Sequence, residues 1–187
     1  VTVWFDEASR LAALVDGIAG DLRRNSHVIV AAHFRSSLLR VGDALAARGV
    51  PFTTRAEWSE ADARVLIVDK TPRVVLLLVS ALPPVAADAP RPEAISGSRT
   101  LSFRLADLHV LVAANERVER YARSLPCPVQ LTASTSLEDP LMVQCVRPAV
   151  KSRLQRMGFA PGKPMDNPVL TSSLWQACRK LGKRVRS

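Results

Sequence analysis

His27-Val28-Ile29-Val30-Ala31-Ala32 is a continuous apolar run rich in β-branched residues. A strand of that composition is stable when both its faces are covered, as in a parallel sheet with helices on each side. Upstream, residues 6–24 predict an amphipathic helix. Asp6 stands at the cap position, and Leu11, Leu14, Val15, Ile18 and Leu22 recur on one face. Downstream, Ser36 or Ser37 is placed to cap a second helix, with Leu38, Val41 and Leu45 inward and Gly49 as its stop. Val50–Thr54 then predicts a short strand. Arg64–Val68 (RVLIV), Val74–Val79 (VVLLLV), Asp107–Ala113 (DLHVLVA) and Val129–Thr132 predict further strands, the second of these being compatible with a buried helix too. Asn115–Ser124 predicts a helix that aligns Val118 and Tyr121 with Leu125 just beyond it. Buried strands alternating with amphipathic helices imply right-handed crossovers and a parallel α/β sheet.

The segment 81–97, rich in Pro and Ala, reads as a flexible excursion. From Glu138 onward the pattern is helical. Pro148 divides Glu138–Val146 from Pro148–Met157, since an internal proline loses a hydrogen bond while a first-turn proline is tolerated. Asn167-Pro168 opens a third helix that runs to the basic end.

Composition narrows the class. The chain has 187 residues, 48% of them hydrophobic and 23% charged, which suits one sizeable globular domain. Its net charge of +9 is concentrated: residues 147–187 carry ten of the 26 Lys and Arg but one of the 17 acids, Asp166. Such a basic stretch suits an anionic surface, with a solvated helix face as the plainer reading. Cys127, Cys145 and Cys178 are far apart and form no C-x-x-C pair, which argues against a disulfide framework or zinc site and fits buried thiols in a reduced cytosolic setting. The longest apolar run, Val74–Leu82, is about half a membrane span and ends in Pro83-Pro84. No basic-then-apolar leader opens the sequence, which starts at Val1 and reads either as a fragment or as a complete chain.

Ser136-Leu137-Glu138-Asp139-Pro140-Leu141-Met142 is followed by Met157-Gly158-Phe159, Pro161-Gly162, Pro168 and Ala177-Cys178-Arg179-Lys180. In that order and spacing, from Ser136 to Leu181, the pieces resemble the end of the second motor domain of SecA, the family of preprotein-translocating ATPases. His27–Thr54 resembles that domain's opening strand and helix, and Leu108-His109-Val110-Leu111 its L-H-I-I strand. The resemblance implies a RecA-like parallel sheet flanked by helices, with a C-terminal helical extension. The division would fall at 1–137 for the RecA-like domain and 138–187 for a basic extension leading, near Val169, to a scaffold helix. It also implies a cytoplasmic chain, peripheral at the inner membrane, that meets a first motor domain or another Sec-type partner and takes no specific nucleic acid.

The chemistry of such a motor is incomplete in this sequence. No Gly-x-x-x-x-Gly-Lys loop and no magnesium-holding acidic pair occur, and Gly162-Lys163 lacks the preceding strand. Any ATP and magnesium would be shared with the first motor domain, none being held by this chain alone. The family's A-G-R-G-T-D-I signature is echoed by Ser96-Gly97-Ser98-Arg99-Thr100-Leu101, with glycine and arginine reordered and the aspartate missing. Its arginine-finger motif is not found, although Arg117, Arg120 and Arg123 lie on the corresponding helix. By resemblance the nucleotide-binding candidates are therefore Gly97, Arg99, Thr100, Arg120 and Arg123, with no catalytic residue and no metal ligand. An ordinary exposed helix face is the favoured reading of Arg117, Arg120 and Arg123, and a loop after a proline-rich stretch is that of Gly97–Thr100.

Glu138-Asp139 reads as helix-capping chemistry, with Ser136 as the cap and the acids in the first turn. His27, His33 and His109 stand at strand ends with no nucleophile or cysteine constellation nearby. Trp4, Trp58 and Trp175 read as packing residues. Three functions follow: a SecA-like motor domain without ATPase activity of its own, a non-catalytic regulatory or protein-binding module derived from a RecA-like domain, and a nucleic-acid helicase lobe.

Overall fold

The computed structural model describes residues 1–90, 92–109, 111–139, 142–143, 148–165, 172 and 176. Chain order runs β1 (Thr2–Trp4), α1 (Glu7–Arg23), β2 (His27–Ala32), α2 (Arg35–Ala47), β3 (Thr53–Arg55), α3 (Glu60–Val68), β4 (Val74–Leu78), a single 3₁₀ turn (Val79–Ala81), β5 (Leu101–Leu105), α4 (Val112–Arg123), β6 (Val129–Ser136), α5 (Pro148–Arg156) and β7 (Pro164–Met165). Among the described residues, seven strands form one sheet in the order β3-β4-β2-β5-β6-β1-β7. Every pairing is parallel except β1 with β7. This is a RecA-like α/β fold.

β2 lies between β4 and β5, and all six of its residues are buried. Its alternation decides the layers. Ile29 and Ala31 join Val75, Leu77, Phe103 and Leu105 in the core beneath α3 and α4. Val28, Val30 and Ala32 join Val74 and Leu76 beneath α1 and α2. Each fully buried aliphatic side chain contributes about 1.5–3 kcal/mol, so the two-faced burial of β2 and β4 is the largest favourable contribution that the sequence pattern announces.

Caps set the helix boundaries. Asp6 accepts the Ser9 N–H at 2.7 Å and starts α1 as expected. α2 departs from expectation: its N-cap is Phe34, without a side-chain cap, and Ser36 and Ser37 lie inside the first turn. It does stop at Gly49, whose φ of +65° suits glycine.

Arg64–Val68 is helical, not a strand. Ser59 and Asp62 form a capping box, and burial of Ala63, Leu66 and Ile67 beside exposed Val65 and Val68 follows the helical period. The strand expected at Asp107–Ala113 is also misplaced. It is Leu101–Leu105, and Val112 already begins α4.

Segment 81–97 links β4 to β5, and among its described residues several are held against the core. Leu82 is fully buried, Val85 and Ile95 pack on the core, and the Ile95 N–H donates to the Pro126 carbonyl at 2.9 Å.

Beyond β6, Ser136 does not cap a following helix. It ends the strand, and its hydroxyl donates to Glu7 Oε2 at 3.0 Å. Glu138 serves the other helix, accepting the Glu7 N–H at 3.1 Å and Lys151 Nζ at 3.0 Å. β7 pairs with β1, and Leu154, Phe159 and Met165 pack on the main core. Met142 and Val143 are helical, while the rest of the expected Glu138–Val146 helix is only partly within the described residues. The helix from Asn167-Pro168, the basic end, Cys145, Cys178, Trp175 and Ala177–Lys180 lie outside them. Among the described residues, no helix is long and apolar enough to cross a membrane.

Candidate nucleic-acid interface

In an open parallel sheet, ligands bind outside the carboxyl ends of the strands, where crossovers from adjacent strands diverge. α2 and α4 lie on opposite faces, so the chain leaves neighbouring β2 and β5 in opposite directions. The crevice between them holds the residues after β2 and after β5.

Asp107 organises this crevice. Its carboxylate, 3% exposed, accepts the backbone N–H of His33 at 2.7 Å and of Phe34 at 3.2 Å. It thereby ties the exit of β5 to the entrance of α2. Asn115, in the first turn of α4, ties the rest. Its Oδ1 accepts from His109 N and from His33 Nε2, each at 3.0 Å, and its Nδ2 donates to His109 O at 2.8 Å. His109 Nδ1 accepts the Leu111 N–H at 3.0 Å. That leaves Nε2 as the proton-bearing nitrogen of neutral His109, while Asn115 requires a proton on Nε2 of His33.

The rings collect on the surface of this network. His33 and His109 lie 5.2 Å apart, and Phe34 stacks on His109 at 5.8 Å. Phe34 is 48% exposed, an unusual position for a phenyl ring in this chain. Arg35, Ser36 and Arg40 are exposed beside it on the first turns of α2. Because α2 has no side-chain cap, its first N–H groups and dipole favour an anion.

A second cluster adjoins the first at the exit of β1. Arg10, 2% exposed, donates through Nε and Nη2 to Glu7 at 2.7 and 2.6 Å and through Nη1 to the Ala106 carbonyl. Arg40 reaches Glu7 at 3.3 Å. Burial alone would raise the Glu7 carboxyl, but Arg10, Ser136 and Arg40 hold it below the ordinary glutamate value. Among the described residues, no group of three or more His, Cys, Asp or Glu is arranged to hold a metal ion.

The residues nominated from sequence lie elsewhere. Gly97, Arg99 and Thr100 precede β5 at the amino edge of the sheet, where Arg99 Nη1 donates to the Asn25 carbonyl at 3.2 Å. α4 ends at that same edge. Arg120 and Arg123 there pair within the helix, with Glu116 at 3.9 Å and Glu119 at 3.4 Å. Arg117 donates to the Leu82 carbonyl. Thus none of the five is brought to the β2/β5 crevice. The sequence reading missed Phe34, Arg35, Arg40, Asp107 and Asn115. The available signal was a polar His-Phe-Arg-Ser turn directly after the most buried strand.

Burial lowers the pKa of His27 and of His33. For His33 the nearby His109 adds to that effect, against Asp107 and Asn115. A lowered folded pKa means that the unfolded chain takes up protons first as pH falls. The histidine contribution is thus intact above the ordinary value of 6.5 and is lost as pH drops from there through the folded values. Thermal melts should therefore show Tm declining as pH falls below 6.5. A His27→Gln, His33→Gln double variant should flatten that limb, and an unchanged slope would refute the assignment.

No family model matches the sequence, and no curated protein does. Comparison of folds finds 78 matching solved chains, so this architecture is widely shared and speaks to fold before function. One match is the C-terminal part of the Fun30 ATPase domain, with a TM-score of 0.50 and 9% identity, covering 95% of this chain and 54% of that one. This chain therefore spans about half the length of that neighbour. The match bears on the RecA-like fold alone.

The expected SecA identity and translocase function are corrected accordingly: no family model or curated protein supports them, and the structural likeness found is to an ATPase-domain piece of another kind. The described pieces of the apparent motif have local explanations. Gly158 and Gly162 supply turns at φ of +87° and +84°, and Ser136 and Glu138 serve α1.

Proposed function

We propose that this chain is a RecA-like lobe of a nucleic-acid motor of the helicase type, which contacts the phosphate backbone and depends on another lobe for nucleotide chemistry. The observation that carries the reading is the β2/β5 crevice. An exposed phenyl ring, two exposed guanidiniums and the uncapped start of α2 share one surface there. A phosphate backbone is met by such cations and N–H groups, and a base by the ring. Exposed Arg153, Arg156 and Lys163 add positive charge toward the C-terminus. The likeness to part of an ATPase domain supports a lobe that shares a nucleotide. With no phosphate-cradling loop in the sequence, ATP and magnesium would be held chiefly by the other lobe.

Fluorescence anisotropy with mixed-sequence DNA tests this. Binding is expected at a Kd of about 10⁻⁴–10⁻⁶ M, weakening steeply with salt. Arg35→Ala should make the log–log salt slope shallower by about one, whatever the DNA sequence. Calorimetry should find no tight magnesium-dependent ATP binding by the chain alone. Salt-independent or absent DNA binding would sink the reading. It would favour a non-catalytic protein-binding module, for which Val65 and Val68, exposed on α3, are the relevant surface.

A further inference from the structure

We infer that the space between segment 82–97 and helices α3 and α4 is a binding site for a small aromatic carboxylate. It is a cavity of about 350 Å³ on the face opposite α1 and α2. That volume falls in the range of small-ligand sites, about 300–1,000 Å³.

The cavity exists because the β4–β5 connection carries no α-helix among its described residues. A helical crossover would lie flat on the sheet. Here prolines oppose it, since each lacks the N–H for the helical hydrogen bond and its ring clashes with the preceding turn. The connection is pinned at both ends instead. Arg117 holds the Leu82 carbonyl, and Pro126 holds the Ile95 N–H. Between these pins Pro83, Pro84, Pro90 and Pro92 form a wall that stands off from α3 and α4. Their fixed φ angles make that wall stiff before a ligand arrives, which lowers the ordering cost of binding.

The lining specifies the ligand. Opposite the prolines stand Tyr121 and Leu125, so the ligand's body is apolar and ring-sized. Tyr121 accepts the Trp58 indole N–H at 2.6 Å, and burial pushes its phenol up to about 12. It is therefore a neutral wall at physiological pH, not a charged one. Among the described lining residues two are charged, Glu60 and Arg64 of α3. Among the described residues, neither has an ion-pair partner. Glu60 is the first residue of α3, where the free N–H groups and helix dipole offset its charge. Arg64, one turn further in, is the cation among the described lining residues, a planar donor suited to a carboxylate.

Phenylacetate is the probe, with 2-phenylethanol and phenethylammonium as controls of matching ring and opposite or no charge. Binding to the full chain is read by saturation-transfer NMR and by Tm shift at physiological ionic strength. Phenylacetate should bind saturably and at least about fivefold more tightly than either control. Arg64→Ala should reduce it to the level of the alcohol. The ligand-free Tm should hardly move, since Arg64 is exposed. Ala89→Trp, which fills the cavity, should abolish binding of all three. Equal affinities for the three probes, indifference to Arg64→Ala, or no saturation would each overturn the inference. DNA binding at the β2/β5 crevice should be unaffected by either variant, so the two readings fail independently.

Discussion

Asp107→Ala should lower Tm by about 6–12 °C, measured by calorimetry or circular dichroism. The carboxylate is buried and satisfies two backbone N–H groups at the turn from β2 into α2. Alanine takes the carboxylate from both donors, at about 1–3 kcal/mol each, so a total near 3 kcal/mol is expected. A chain of this length loses about 2–4 °C per kcal/mol. Asp107→Asn keeps one acceptor but turns an amide N–H toward the other donor, so an intermediate loss is expected. Hydrogen exchange should localise the damage: the amides of His33 and Phe34 should lose protection in both variants before the β2 amides do. A Tm change under about 2 °C for alanine would mean that the carboxylate is not the pin. The same variant should weaken DNA binding with Arg35 still present, because the turn that aims Phe34 and Arg35 would no longer be fixed.

The turn was hard to find from sequence for a physical reason. β2 was legible because two-sided burial leaves a run with no polar interruption, and α1 because its cap and period agree. β5 was not, because Leu-Ser-Phe-Arg-Leu carries a charge on its α1-facing side. Arg104 points there and pairs with buried Asp21 at 2.6 Å, a partner 83 residues away. Strand propensity also outweighed a capping signal at Ser59-Glu60-Ala61-Asp62, so RVLIV was misassigned although the box immediately before it starts a helix. The crevice depends on strand order, and strand order is a long-range property. Nothing local to Asp107 or Asn115 says that β5 lies beside β2. Gly97, Arg99 and Thr100 were nominated by motif echo, without a topology to say which edge of the sheet they would occupy. The SecA-like spacing failed similarly, because turn glycines and helix-end acids recur wherever chains reverse.

Arg10→Met should cost about 3 kcal/mol, and its cause is separable from that of Asp107→Ala. Arg10 is buried and makes three hydrogen bonds, two to Glu7 and one to the Ala106 carbonyl. Removing one member of a buried charged pair costs about 3–5 kcal/mol, because the other charge is left uncompensated. The lower end applies here, since Glu7 is partly exposed and keeps Arg40 and Ser136. A double-mutant cycle isolates the pair. Glu7→Gln in the Arg10→Met background removes the stranded charge, so the double variant should be more stable than the sum of the single losses implies. Acidity gives an independent reading. The folded pKa of Glu7 lies below its ordinary value of 4.5, so its contribution is present above that pH and is lost as pH falls through the folded value. Arg10→Met should raise the folded pKa and shrink this acid limb, while leaving the histidine limb below pH 6.5 in place. Additive losses in the cycle, or an acid limb that Arg10→Met leaves unchanged, would show that Arg10 acts by packing and through Ala106 alone. In that case the two clusters at the carboxyl edge would be joined by the backbone of Ala106 and Asp107, not by the Glu7 charge.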